Sequence, residues 1–538
     1  MNQSLVIRDA DIVDGTGRPR RRGDILLEDG VIVSLGGRCE APTGALSIDA
    51  AGLVACPGFI DMHAHSDLAV LRDREHLAKT TQGVTVEVLG QDGLSYAPTN
   101  DVTMPLMRTH IAGWNADPPD VDFSWRSVAD YLERIDRGCA VNVAYLIPHG
   151  TVRMAVMGEE NRDLRSSDIA DMRRIIAQGM REGAFGMSAG LSYVPGMFAG
   201  TDELVQLCEV VAAYGGYFSP HQRSYGKGAL EGYAEMIDIA RRSGCPVHLT
   251  HATMNFPVNR GRAGEFLALV DDALADGVDV TLDSYPYLPG STTLAALLPS
   301  WVADGGQDAA LARVRDPDTR ARIRYDLEVG GSDGCHGVTA DWRTIEISGV
   351  AHPELAGLVG RTVAQIAVDT EREPSDVFFE TVIRDQFATT IIQHVGDENN
   401  VRAIMQHRVH TVGSDGLLIG AKPHPRAWGT FPRFLRRYVR EEHLLELEEA
   451  VAHLTSRPAR RLGLSDRGIL REGYVADLVL FDQDTVADQA TFEHPRRPAT
   501  GIPWVIVAGQ PVIADGVRTD AMPGRALRGG RADPGPDR

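Results

Sequence analysis

Lysine is almost missing from this 538-residue chain. Of its 54 basic residues only Lys79, Lys227 and Lys422 are lysines; the rest are arginine. Lysine chemistry is therefore confined to three positions. Cysteine is sparse and scattered: Cys39, Cys56, Cys139, Cys208, Cys245 and Cys335 include no close pair. That spacing excludes a disulfide framework and a thiolate zinc cluster, and points to a reduced, cytoplasmic protein. No stretch approaches the roughly 18 uninterrupted apolar residues of a membrane span. The start, Met1 to Arg8, has no basic region followed by an apolar run, so no signal peptide is expected. The excess of 74 acidic over 54 basic residues, a net charge of −20, argues against nucleic acid or an anionic membrane as the main partner. A local basic pocket for a small anion is still allowed.

What is present is a soluble globular composition, 43% hydrophobic and 24% charged. The length suits a large barrel with an accessory module. Short alternating segments at Ser4–Ile7, Gly23–Leu27, Val31–Leu35 and Leu46–Asp49 read as strands between turns. Ala476–Asp482 and Val505–Gly509 read the same way at the other end. Isolated β pieces are marginal in water, so residues 1–55 and 470–520 are expected to pair into one small β-sandwich domain. Between them, over 56–469, apolar runs alternate with amphipathic stretches such as Ile169–Glu182 and Glu203–Ala213. The apolar runs give eight candidate inner strands: Gly58–His63, Val84–Leu89, Val141–Ile147, Phe185–Ala189, Tyr217–His221, Val247–His251, Val278–Ser284 and Val409–Gly413. Eight such units predict a distorted (β/α)8 TIM barrel. The span of about 288–408 is too long for one crossover and must be an insertion with helices of its own. From 525 to 538 the chain is mostly Arg, Gly, Pro and Asp, and a mobile tail is expected.

The strongest local signal is Pro57-Gly58-Phe59-Ile60-Asp61-Met62-His63-Ala64-His65. Side chains two apart on a strand point the same way, so His63 and His65 can aim together at its C-terminal end and share a metal. Alone, the pair would more often be two surface histidines in a turn; the apolar strand before them favours ligands. Further ligands must come from other strand ends on the same face. His221 closes Tyr217-Phe218-Ser219-Pro220-His221. His248 and His251 are three apart, so only one faces inward, and the later one, His251, is favoured. Asp415, in Gly413-Ser414-Asp415-Gly416, could bind metal, act as a general base or cap a helix. His149 and Arg153, after the third strand, either line the pocket or cap the loop. Trp301 and Trp342 in the insertion read as core residues before lid residues.

Taken together, these motifs resemble the amidohydrolase superfamily and, within it, the D-aminoacylases (N-acyl-D-amino-acid deacylases). Pro57–His65 and Gly473-Tyr474-Val475-Ala476-Asp477-Leu478-Val479 resemble the superfamily. Ser188–Gly196, Asp283-Ser284-Tyr285-Pro286-Tyr287, Gly413–Gly416 and His424–Pro432 resemble D-aminoacylases more specifically. The likeness runs from near residue 5 to about 515. It implies a metal-assisted hydrolase of linear amides, with His63, His65, His221 and His251 as ligands of one or two zinc ions. Asp415 would take a proton from the attacking water and return it to the leaving amine. Tyr285, Ser291 and Arg426 would hold the substrate carboxylate, with Tyr193 assisting; Arg426 offers a planar fork for that task.

Two positions depart from the family pattern. Gly90-Gln91-Asp92-Gly93 stands where the family has Gly-Asn-Cys-Gly, so Asp92 is expected to replace a soft thiolate ligand with a hard carboxylate. A carboxylated lysine is hard to arrange: Lys79 precedes the strand, Lys227 sits in a glycine loop and Lys422 lies past Asp415. Second, His251-Ala252-Thr253 lacks the family lysine two residues after the histidine. Losing one ammonium contact to a carboxylate costs on the order of 1.5–3 kcal/mol. These departures keep two alternatives open: a cyclic-amide hydrolase of the hydantoinase or dihydroorotase kind, and a metal-free scaffold. The partner expected is a small N-acyl amino acid or related amide, not nucleic acid or membrane.

Overall fold

The computed structural model describes residues 4–529. Its centre is a sheet of eight parallel strands: β1 (Phe59–Asp61), β2 (Val84–Leu89), β3 (Asn142–Pro148), β4 (Gly186–Gly190), β5 (Tyr217–His221), β6 (Val247–Leu249), β7 (Val280–Ser284) and β8 (His410–Val412). Each pairs with the next in chain order, and helices such as Ser166–Arg181, Thr201–Ala213 and Ala229–Ser243 form the crossovers. β2 and β3 are buried along their whole length, as strands covered on both sides must be. The eight expected strands are present with ends shifted by a few residues. β1 stops two residues before His63, and β6 keeps His248 but stops two residues before His251.

No ladder joins β8 to β1. That seam is closed beyond the strands, by Met62 N–H to the Val412 carbonyl at 3.2 Å and Asp415 N–H to the His63 carbonyl at 2.8 Å. Gly413 permits the approach. A Cβ there would lie 2.7 Å from His63 Cβ and 2.8 Å from Asp283 Oδ1, so any other residue would force the seam open.

Both chain ends contribute to one nine-stranded sheet. Leu478–Phe481 runs antiparallel to Val54–Pro57, which in turn runs parallel to Leu5–Ile12. One face packs Leu5, Ile7, Ile25 and Leu478 in a core of its own. The other brings Val54, Cys56, Val479 and Val505 against Phe59 and the helix Arg426–Arg433. Val54–Pro57 leads straight into β1, so the sheet anchors the strand that carries the first histidines.

Asp477 pins this junction. It lies 2.7 Å from Arg467, accepts the Ala508 N–H at 2.7 Å and the Asn142 side-chain amide of β3 at 3.2 Å, and is almost fully buried. Asp477→Ala leaves Arg467 with only the half-exposed Asp466 and strips the Ala508 N–H and the Asn142 amide of their acceptor, and is expected to cost about 2–4 kcal/mol in denaturant unfolding. The folded fraction should keep the parent kcat.

The insertion is a three-stranded antiparallel sheet, Gly290–Thr293, Thr390–Gln393 and Ile345–Gly349, backed by helices around a separate core. Trp342 belongs to that core, and Trp301 donates to Asp326 at 2.9 Å. Neither reaches the barrel mouth. The expectation of a mobile tail from 525 fails over its described part. Arg525 N–H bonds the Asn142 side chain, Leu527 N–H the Val143 carbonyl and Gly529 N–H the Gly183 carbonyl. These backbone groups find partners at the start of β3 and before β4, which composition could not show. Residues 530–538 lie outside the described residues.

Candidate metal centre

Five strand ends converge on one point at the C-terminal mouth of the barrel. His63 Nε2 and His65 Nε2 are 3.2 Å apart, and His221 Nδ1 and His251 Nε2 are 3.1 Å apart. Asp92 stands between the two pairs. Its Oδ1 lies 3.5 Å from His63 and 3.4 Å from His251; its Oδ2 lies 3.5 Å from both His65 and His221. Asp415 Oδ1 completes the ring, 3.3 Å from His65 and 3.8 Å from His63. All six residues are buried. Two sets of donors have ligand atoms within 4.8 Å of one another: His63, His65, Asp92 and Asp415, and Asp92, His221 and His251. Asp92 belongs to both. Four imidazoles and two carboxylates, with Asp92 Oδ1 buried and without a hydrogen-bond partner, fit a divalent cation.

Strand alternation is not what aligns the histidines. β1 ends at Asp61, so His63 and His65 follow it, flanking Ala64, which bridges to Gly416 after β8. Asp92, His251 and Asp415 all have positive φ, at 53°, 31° and 48°. Each strand ends in a turn through the left-handed region that swings the side chain back over the barrel. Aspartate tolerates this conformation and histidine does so less readily; such strain gathers at functional sites.

Neighbouring side chains fix ring orientation. Ser192 Oγ lies 2.7 Å from His221 Nε2, leaving Nδ1 to face the site. Asp283 Oδ1 accepts the His251 N–H at 2.8 Å, while its Oδ2 is 2.9 Å from His248 Nε2. His248 is thus the structural member of its pair, also bonded to Thr281, and His251 the one that faces inward.

Charges alternate through the cluster. Burial lowers the His63 pKa to about 4, against the pull of Asp92 and Asp415. At His65 burial is outweighed by hydrogen bonds to Asp415 and Asp92, which push it up to about 10. Burial opposes ionisation of both carboxylates, yet His63 and His251 hold Asp92 well below its ordinary range, and Arg426 and His65 do the same for Asp415.

The chain matches the amidohydrolase family over residues 47–513. It is 36% identical over 525 residues to the N-acyl-D-glutamate deacylase of Alcaligenes xylosoxydans xylosoxydans, covering 97% of this chain and 96% of that one. It is 35% identical over 526 residues to the D-aminoacylase of the same organism, covering 97% of each. It also superposes with a TM-score of 0.81, at 32% identity, on the crystal structure of the Bordetella bronchiseptica N-acyl-D-glutamate deacylase complexed with zinc and a phosphonate inhibitor, covering 98% of this chain and 100% of that one. The chain belongs to the amidohydrolase family.

A cavity opens from this amidohydrolase's donor cluster to solvent. Tyr193, Tyr285 and Ser291 line it, and Tyr193 OH lies 3.0 Å from Thr292 Oγ1. Arg426 is placed differently from the sequence expectation: it is fully buried behind the lining. Its Nη2 is 2.9 Å from Asp415 Oδ2 and its guanidinium stacks 4.5 Å from the Tyr285 ring centre. Two of its nitrogens, Nε and Nη1, have no hydrogen-bond partner. Thr253 lines the cavity and bonds Asn255, so no ammonium stands there. His149 and Arg153 are turned away to Glu203, at 2.9 and 3.3 Å, and do not line the cavity.

Sequence reasoning missed Trp114 and Tyr225. Trp114 lies 5.1 Å from the His65 ring, and Tyr225 5.0 Å from His221 and 5.2 Å from His251. Both stand between strands, where no periodicity marks them. Ser192 and Asp283 were within reach, since each lies inside a motif of the family.

Proposed function

We propose that this amidohydrolase deacylates N-acyl-D-amino acids with apolar side chains, giving a carboxylate and a free D-amino acid, and that it holds one or two zinc ions between His63, His65, Asp92, His221, His251 and Asp415. The observation that carries the reading is the shared position of Asp92 and Asp415 among four histidines, in a chain related over nearly its whole length to D-amino-acid deacylases. The D configuration comes from those relatives.

Bound there, a divalent ion supplies Lewis acidity to the scissile carbonyl and to the attacking water. The protein supplies the rest. Asp415 Oδ1 faces the cluster and takes the water's proton, while Oδ2 is held by Arg426. An amide nitrogen leaves poorly unless protonated, so the same carboxyl must return the proton. The neighbouring guanidinium holds the Asp415 carboxyl ionised, in the form that can accept a proton. Tyr285 and Ser291, on the cavity wall, are the donors offered to a substrate carboxylate, and the Arg426 guanidinium behind them supplies the positive charge.

The side chain has a second cavity, which shares Trp114 and Tyr193 with the first. Leu94, Val194, Met197, Leu298 and Phe387 line it, and no lysine, arginine or carboxylate does. Its polar lining is His110, Ser192, Thr293, Ser300 and Gln307, so an acidic side chain would meet hydrogen-bond donors but no arginine or lysine, at a cost of about 1–3 kcal/mol relative to an apolar one. On zinc-loaded protein, kcat/KM for N-acetyl-D-methionine should exceed that for N-acetyl-D-glutamate by roughly 10–100-fold, by that same penalty. Preference for the glutamate compound, or for the L enantiomer, would overturn the reading, and turnover of hydantoin or dihydroorotate alone would replace it with a cyclic-amide hydrolase. All six cysteines are buried and unpaired, and among the described residues no helix is long and apolar enough to cross a membrane, which supports a reducing, cytoplasmic setting.

A further inference from the structure

Lys79 is one of three lysines in a chain that uses arginine almost everywhere else, and it is fully buried. It comes from the short helix Leu77–Thr80 between β1 and β2. Its ammonium donates to Asp61 Oδ2 at 2.6 Å and to Ser414 Oγ at 2.9 Å, and lies 3.8 Å from Glu87 Oε2. Asp61 ends β1, Ser414 follows β8, and Glu87 is in β2. One nitrogen therefore joins three strands at the seam where the barrel has no ladder.

The bonds continue into the metal centre. The other Asp61 oxygen accepts the N–H of His63 at 3.2 Å and of Ser414 at 2.7 Å. Ser414 Oγ is 3.3 Å from the His63 carbonyl, which also receives the Asp415 N–H at 2.8 Å. His63 and Asp415 are thus held by backbone bonds that meet at the Asp61–Lys79 pair. Glu87 is kept ionised despite its burial by His76, 2.8 Å away, and by Lys79. A compact ammonium with three donors suits three acceptors on separate strands; a planar guanidinium on a longer stem does not.

We propose that Lys79 is a positioning residue for hydrolysis, setting the spacing between the ends of β1 and β8 and so the placement of His63 relative to Asp415. It touches neither the donor cluster nor the cavity.

The test uses the full chain loaded with cobalt, whose visible d–d absorption reports ligand geometry whatever the substrate, alongside steady-state kinetics, whose kinetic arm alone rests on the proposed activity. Lys79→Met and Lys79→Arg are expected to change the cobalt spectrum and to lower kcat about 10–100-fold, the range for residues that orient metal ligands, with KM within about twofold. Lys422→Met, a surface control, should change neither. Because Lys79→Met strands the buried Asp61 carboxylate, the double variant Asp61→Asn/Lys79→Met is measured with it. Removing both charges should restore the melting temperature but not kcat or the spectrum. A folded Lys79→Met with parent kcat and parent spectrum, or a double variant that recovers all three, would overturn the proposal. Failure of the parent to cleave any N-acyl-D-amino acid would count against the proposed function and leave the spectra to decide the role of Lys79.

Discussion

Replacing Asp415 with asparagine is expected to lower kcat by about 10²–10⁴-fold, the span a positioned general acid–base contributes. Asparagine keeps the shape and, with its oxygen turned to the Arg426 donor, one of the two contacts, but it cannot hold the proton that water must give up and the amine must receive. KM should change little, because the substrate carboxylate is assigned to Tyr285 and Ser291 on the cavity wall and not to Asp415. Steady-state kinetics on the variant, with metal content measured on the same sample, separates this from simple metal loss. If kcat stays within about threefold of the parent, another group carries the proton and the role given to Asp415 is wrong.

Asp92 carries the second large effect. Each of its oxygens faces one histidine from either pair, at 3.4–3.5 Å, so it is the one residue common to both donor sets. Asp92→Ala leaves four imidazoles with only Asp415 to balance a divalent charge. Residues that merely orient ligands cost 10–100-fold in metal affinity when lost, and a shared ligand is expected to cost more than that. Elemental analysis after dialysis should find the variant with far less than one ion per chain, and kcat should fall in proportion. Asp92→Cys, which restores an anion with a soft donor, should regain one zinc ion. A metal-replete Asp92→Ala would remove Asp92 from the ligand set.

Much of this arrangement was legible in the sequence, for identifiable reasons. The eight strands could be read because both faces are covered, which leaves apolar runs such as Val84–Leu89 with little ambiguity. The six donors could be read because each follows such a run at the same end. What alternation could not supply was the geometry of the turns. His63 and His65 were assigned to a strand that stops at Asp61, and the left-handed φ of Asp92, His251 and Asp415 has no mark in the sequence beyond neighbouring glycines at Asp92 and Asp415. Arg426 shows a further limit. Its fork suits a carboxylate, and the motif put it with the substrate, yet its nearest carboxylate is Asp415. Lys79 was set aside because it precedes its strand; the helix that carries it folds under the barrel mouth, a long-range contact that spacing does not encode. The docked segment Arg525–Gly529 reads as solvent-exposed by composition, because its bonds are made by backbone atoms.

Anomalous diffraction from zinc-loaded crystals at the zinc edge tests the central claim most directly. The account predicts one or two strong peaks bounded by His63, His65, Asp92, His221, His251 and Asp415, with a peak lost in Asp92→Ala. Peaks only elsewhere on the molecule, or none at full zinc loading, would contradict it.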